Sequence, residues 1–180
     1  MRLTDNDIQN LYIEFATPAH VKAHCKGVTT SALKIAHALM DCGYEALDLE
    51  LIYGAGMIHD MARIYDHHEI VAADKLFELG FTEEADIVRE HMRKMTYHDI
   101  DHVTEADLLY ISDRMVIEDT FVGVEKRFEY IRDKMIKHGV DPDSEMSRRN
   151  RQNSFDFVAA IESKTHMSMF ELQANVPAVH

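Results

Sequence analysis

The sequence predicts an all-α fold: a single-domain helical bundle. Three observations predict it. Apolar residues recur at helical spacing in segment after segment, and no alternation of the strand type holds for long. Strong helix formers are common, with only three prolines and seven glycines to interrupt them. No Gly-, Pro- or Ser-rich linker and no internal repeat divides the 180 residues, a length that suits one core. Apolar residues make up 46% and charged residues 28%, the balance of a folded chain rather than a disordered one.

The elements follow in order. Thr4 caps a short first helix, with Asp7 in the capping-box position and Ile8, Leu11, Tyr12 and Phe15 on its apolar face. Thr17 caps a second helix with Pro18 at its first position, running to about Asp41 and stopping at Gly43. Val21, Val28, Ala32, Ile35 and Leu39 form its stripe, and His24 lies on or beside it. Asp48 starts a third helix through LIYGAGMIHDMARI, ending around Ala62 to Asp66, with His59 and Asp60 near its C-terminal end. A fourth, carrying His68 beside Val71 and Ala72, ends at Gly80. Thr82 caps a fifth, to about Met92, with Glu83 and Glu84 in its first turn and His91 on the face of Ile87 and Val88. Arg93 to Val103 is polar and reads as a loop. Thr104 caps a sixth helix through ADLLYISDRMV, which puts Asp113 on the apolar side. Two further helices are expected over about Val122 to His138 and Ser144 to Thr165, the latter with Phe155, Val158 and Ile161 inward. The predicted layout is a core over about 18–117, C-terminal helices over about 121–166 and a tail at 167–180.

The net charge of −13 argues against a nucleic-acid duplex as partner, since phosphate neutralisation needs clustered Lys and Arg. It leaves room for a small anionic substrate, because a divalent metal can dominate the local field. The one dense basic run, Arg148, Arg149 and Arg151, reads as a solvated helix face. No stretch approaches the roughly 20 apolar residues that span a bilayer, and the N-terminus lacks the pattern of a signal sequence. The expectation is therefore no membrane partner and a cytoplasmic, reducing location, with Cys25 and Cys42 as small buried hydrophobes.

Two metal-binding side chains, His59 and Asp60, stand together in a hydrophobic run, where a carboxylate is costly unless it is paired or bound to a cation. His24, His68, His91 and Asp113 also sit in or beside apolar segments. A set of imidazoles and carboxylates suits one or two divalent transition-metal ions, Fe, Mn, Co, Ni or Zn, better than Ca or Mg. The order His24, His59-Asp60, Asp113, in the contexts HVKAHCKGV, AGMIHDMAR and EADLLYISDRMV, resembles the HD-type metal-dependent phosphohydrolase superfamily over about Pro18 to Val116.

That resemblance implies an all-α bundle whose metal ligands are the residues at His24, His59, Asp60 and Asp113, with Asp60 able to bridge two metals. His68, preferred to His67, and His91 match the two added histidines of the dinuclear branches, so two metals are expected rather than one. His20, four residues before His24, reads as structural or as a neighbour of the ligands. The implied activity is hydrolysis of a nucleotide or other small phosphate ester by metal-activated water, with Asp60 orienting the nucleophile. Arg63, three residues after the doublet, ranks first for the substrate phosphate, ahead of Arg114, Arg93 and Lys94, with a surface ion pair to Asp66 or Glu69 as its plainer reading. Glu90, beside His91, is a candidate to orient a ligand imidazole. Two other readings stay open: an HD-like di-iron oxygenase, and a metal-containing binding or sensory module without turnover.

Overall fold

Most helices begin where a side chain takes up an otherwise unpaired N–H group. In the computed structural model, which describes residues 1–44, 47–92 and 99–179, the first is α1 (Asp5–Glu14). The Thr4 hydroxyl accepts from the Asp7 N–H and the Asp7 carboxylate accepts from the Thr4 N–H, a reciprocal capping box. Helix α2 (Ala19–Asp41) starts one residue later than expected, with Pro18 at the cap. Thr17 does not cap it: its hydroxyl donates instead to the Met61 carbonyl at 2.7 Å, tying the start of α2 to the turn after the His59-Asp60 doublet.

Asp48 caps α3 (Leu49–Ile58) through the Leu51 N–H, as its sequence position predicts. This helix ends earlier than expected, so His59 is its C-cap and Asp60 lies in the turn beyond. Helices α4 (His68–Glu78) and α5 (Thr82–Glu90) pack against each other. Phe81, not Thr82, occupies the cap position of α5. Within the expected loop at Arg93 to Val103, residues 93–98, including Arg93, Lys94 and His98, lie outside the described residues, as does His180. Ile100–His102 forms a 3-10 turn.

Thr104 and Asp107 form a second capping box at the start of α6 (Glu105–Asp113). This helix was expected to run through Val116. Instead the chain leaves it after Asp113 and makes a short antiparallel hairpin, β1 (Val116–Ile117) and β2 (Thr120–Phe121), turning at Glu118 with φ +54°. Helices α7 (Val124–Lys137) and α8 (Glu145–Thr165) follow. The expected tail at 167–180 is corrected in part: Ser168 caps α9 (Met169–Asn175), and Met169 and Leu172 are buried. Cys25 is buried as expected but Cys42 is exposed, and both are free thiols.

Together these elements make an all-α bundle in which α2 contacts both halves of the core. One apolar cluster joins α2, α6, α8 and α9 through Ile35, Leu39, Ile111, Phe157 and Leu172. A second joins α1, α3, α4 and α5 through Ile8, Tyr12, Ile58, Met61, Leu76 and Val88. Two glycines allow the close approaches at α2. A Cβ at Gly56 would lie 2.5 Å from the Thr29 hydroxyl, and one at Gly27 would lie 2.8 Å from the Asp119 carbonyl oxygen. The first brings α3 against α2 just before His59; the second seats the hairpin turn beside His24. Among the described residues no helix is long and apolar enough to cross a membrane.

Candidate metal centre

The candidate ligands lie between the two larger clusters, and a third, through Val28, Ala55, Ile87 and Leu109, joins the helices α2, α3, α5 and α6 that carry or end at His24, His59, His91 and Asp113. His59 and Asp60 are flanked by Ile58 and Met61 of one, and Asp113 by Ile111 and Met115 of the other. The ligands arrive mostly at helix ends: His59 and His91 cap the C-termini of α3 and α5, His68 opens α4 and Asp113 closes α6. His24 reaches in from α2. Ring centroids lie 5.5 Å apart for His24–His59, 5.2 Å for His59–His91 and 5.5 Å for His68–His91. Donor atoms form two groups that share Asp60: His24, His59 and Asp60, then Asp60, His68 and His91, with the atoms of each group within 4.8 Å of one another. Asp113 belongs to neither group; it joins through His24, whose Nε2 is 3.0 Å from Asp113 Oδ1.

Helix ends also fix how the rings face. The last carbonyls of a helix have no intrahelical partner. His59 Nδ1 donates to the Gly56 carbonyl at 2.7 Å, and His91 Nδ1 donates to the Val88 carbonyl at 2.6 Å. His24 Nδ1 donates to the Glu118 carbonyl of the hairpin turn at 2.7 Å. A carbonyl can only accept, so each Nδ1 carries a proton and each Nε2 of the neutral ring offers a lone pair to the site. For His91 the orienting partner is thus the Val88 carbonyl.

These lone pairs face poor partners. His24 Nε2 meets Asp113 Oδ1 at 3.0 Å and His91 Nε2 lies 3.3 Å from Asp60 Oδ1, whereas His68 Nε2, 3.0 Å from Asp60 Oδ1, is also 3.0 Å from the Arg63 guanidinium and can accept from it. Acceptor facing acceptor is repulsive unless a cation, a proton or a metal ion, lies between them. The Nε2 atoms of His59 and His91 are buried without a hydrogen-bond partner among the described residues, at a cost of about 1–3 kcal/mol each. One kind of ligand relieves all of these contacts together: a metal ion bound by imidazole nitrogen and carboxylate oxygen. The buried His/Asp groups therefore fit a metal ion.

The carboxylates are held ionised. Burial would raise the Asp60 carboxyl, but His68, His91, His59 and Arg63 outweigh it and keep its pKa well below the usual range. Burial opposes ionisation of Asp113 too, and Arg114, His24 and Arg127 overcome it. For His24, burial disfavours the charged ring, yet its bond to Asp113 outweighs this and raises the pKa.

The arginines divide by role. Arg114, considered for substrate binding, is ion-paired to Asp113 Oδ2 and stacks over Tyr110 with 4.7 Å to the ring centroid. Arg127 was missed in the sequence. It donates to the Asp113 carbonyl at 3.1 Å and lies 3.4 Å from Oδ1, and nothing near it in GVEKRFEY signals that role. Arg63 pairs with neither Asp66 nor Glu69 among the described contacts. Its side chain is 48% exposed and its Nη1 lies 3.0 Å from His68 Nε2 and 3.5 Å from Asp60 Oδ1. His68, rather than His67, faces the site; His67 is exposed at the start of α4 with φ +53°. His20 is exposed on the wall of the same cavity, outside both donor groups.

The centre opens into a cavity of about 550 Å³, into which His24, Asp60, His91 and Asp113 face together with Arg63, Arg114 and Arg127. No family model matches the chain, and neither a curated protein nor a solved structure matches it.

Proposed function

We propose that this chain is an HD-type metal-dependent phosphohydrolase acting on a nucleotide or another small phosphate ester. The observation that carries the reading is the convergence of His24, His59 and Asp60, and of Asp60, His68 and His91, each group with its donor atoms within 4.8 Å of one another, with the buried Nε2 atoms of His59 and His91 left without a hydrogen-bond partner among the described residues. His24, His59, Asp60 and Asp113 would hold one ion, and His68 and His91 would hold a second across the shared Asp60. Their mixture of nitrogen and carboxylate oxygen suits Fe, Mn, Co, Ni or Zn. Such an ion, when bound, supplies Lewis-acid polarisation of a phosphoryl oxygen and a water of lowered pKa.

The chain's own residues do the rest. Asp60 stays ionised and can orient a water through its carboxylate. Arg63, at the cavity wall and half exposed, donates to a phosphate that enters. Arg114 and Arg127 hold Asp113 as a carboxylate, and the carbonyls of Gly56, Val88 and Glu118 hold three rings in one tautomer. The test is a phosphate-release screen over small phosphate esters with Mn, Co or Ni added. Release by the wild type that is abolished in Asp60→Asn supports the hydrolase. Dioxygen-dependent turnover with retained iron would replace it with an oxygenase, and metal binding without any turnover would leave a binding module.

A further inference from the structure

Helix α7 is amphipathic, yet of its 14 residues only Val124 is buried. Its apolar stripe, Phe128, Ile131 and Met135, does not enter either core cluster as a buried member; it lines the cavity in front of the metal donors. Such a stripe is left half-covered at a site that takes an organic ligand. Beside it the cavity gains four more cations, Arg132 and Lys134 from α7 and Arg148 and Arg151 from α8. With Arg63, Arg114 and Arg127, seven of the chain's 19 lysines and arginines face this space, against four acids, in a chain carrying 32 acids. Two of those four, Asp60 and Asp113, belong to the metal donors.

The cations are not equally engaged. Arg114 and Arg127 are committed to Asp113, and Arg132 lies 3.4 Å from Asp143. Lys134 and Arg151 rest over the rings of Tyr130 and Phe155, at 4.5 Å and 5.5 Å from their centroids. Arg148 has no carboxylate partner among the described residues. Arg148 and Arg151, three apart on α8, share the face turned to the cavity, while Arg149 between them does not line it. All three are exposed, as expected of a solvated helix face, and Arg148 and Arg151 line the mouth of the cavity as well.

We infer that α7 and α8 form a second anion-binding wall, so that the substrate is an organic molecule bearing two or more phosphoryl groups in series. This rests on the cavity being the substrate site of the proposed phosphohydrolase. A lone phosphate at the donors fills little of about 550 Å³ and leaves Lys134, Arg148 and Arg151 unused. A chain of phosphoryl groups engages both walls and offsets the repulsion among these cations.

Titration calorimetry of the full chain with inorganic triphosphate and with orthophosphate tests it, all solutions being equilibrated at one free metal concentration. Triphosphate should bind at least about tenfold tighter than orthophosphate. The double variant Arg148→Gln/Arg151→Gln should lose about tenfold for triphosphate only, with metal content unchanged, and Arg148→Lys/Arg151→Lys should keep most of the affinity. Equal binding of the two anions, or a glutamine variant that binds triphosphate like the wild type, overturns the inference. The two proposals fail separately. Triphosphate preference with no turnover of any ester removes the hydrolase and keeps the anion wall. Turnover of monophosphate esters without triphosphate preference does the reverse.

Discussion

At the scale of single residues, the site is a problem in hydrogen-bond accounting. His59 and His91 each spend Nδ1–H on the carbonyl three residues back, which only a helix end leaves free. That leaves Nε2 in the interior with no hydrogen-bond partner within normal distance among the described residues. Arg63 differs, because it touches His68 and Asp60 from a half-exposed position and has freedom to reach a substrate. Arg63→Ala should lower kcat/KM by about a hundredfold while metal content stays at the wild-type level. Loss of metal with the arginine, or unchanged kinetics, would remove it from the substrate site. The six candidate ligands were legible because each is a charged or imidazole group placed at an apolar position. Arg127 was not, since one charged residue among many on an amphipathic helix carries no periodic signature, and its partner is 14 residues away.

At the scale of elements, caps were the clearest text. Thr4 with Asp7 and Thr104 with Asp107 start helices where the sequence places them. The same signal, Ser168 with Glu171 in SMFE, marks α9, and it went unread because the following segment is short and ends in a proline-containing stretch. Ser168→Ala should cost about 1 kcal/mol, and Leu172→Ala about 2–5 kcal/mol, in denaturant unfolding. A true tail would show changes within about 0.5 kcal/mol for both. Thr17 misled for the opposite reason: its hydroxyl is used by Met61, 44 residues away, and local pattern cannot register a long-range partner. The hairpin after α6 was equally hidden, as strands of two residues are too short to alternate.

The N-terminus links elements through charge. Arg2 bonds Asp48 at the cap of α3, at 2.6 Å, and Glu83 in the first turn of α5, at 2.7 Å. Burial would raise the Asp48 carboxyl, but Arg2 and the Leu51 N–H outweigh it, so its folded pKa lies below the unfolded value of 3.8. Its stabilising effect is therefore present above that value and lost as pH falls through the lower folded pKa. The melting temperature of Asp48→Asn should fall below wild type at pH 7, and the difference should shrink as pH is lowered through 4 toward 2. A difference that grows on acidification would contradict the sign.

At the scale of the whole molecule, two large apolar clusters and a smaller third pack together, and the donors lie among them, mostly at helix ends. Both halves must fold for His24, the doublet and Asp113 to converge. The sequence carries the all-α class and the separate donors, but not the distribution of charge. A chain of net charge −13 gathers seven of its cations round one cavity, and linear reading sees only that acids outnumber bases. Two Gly positions, Gly27 and Gly56, are likewise silent until the backbone and hydroxyl they admit are known.

The most direct test is the metal content of the purified protein measured by mass spectrometry, wild type beside His59→Ala. About one to two equivalents of Fe, Mn, Co, Ni or Zn per wild-type chain are expected, with at least a tenfold loss in a variant that circular dichroism shows to be folded. A wild type that binds none of these ions, or a folded His59→Ala chain that keeps its full complement, would contradict the metal centre.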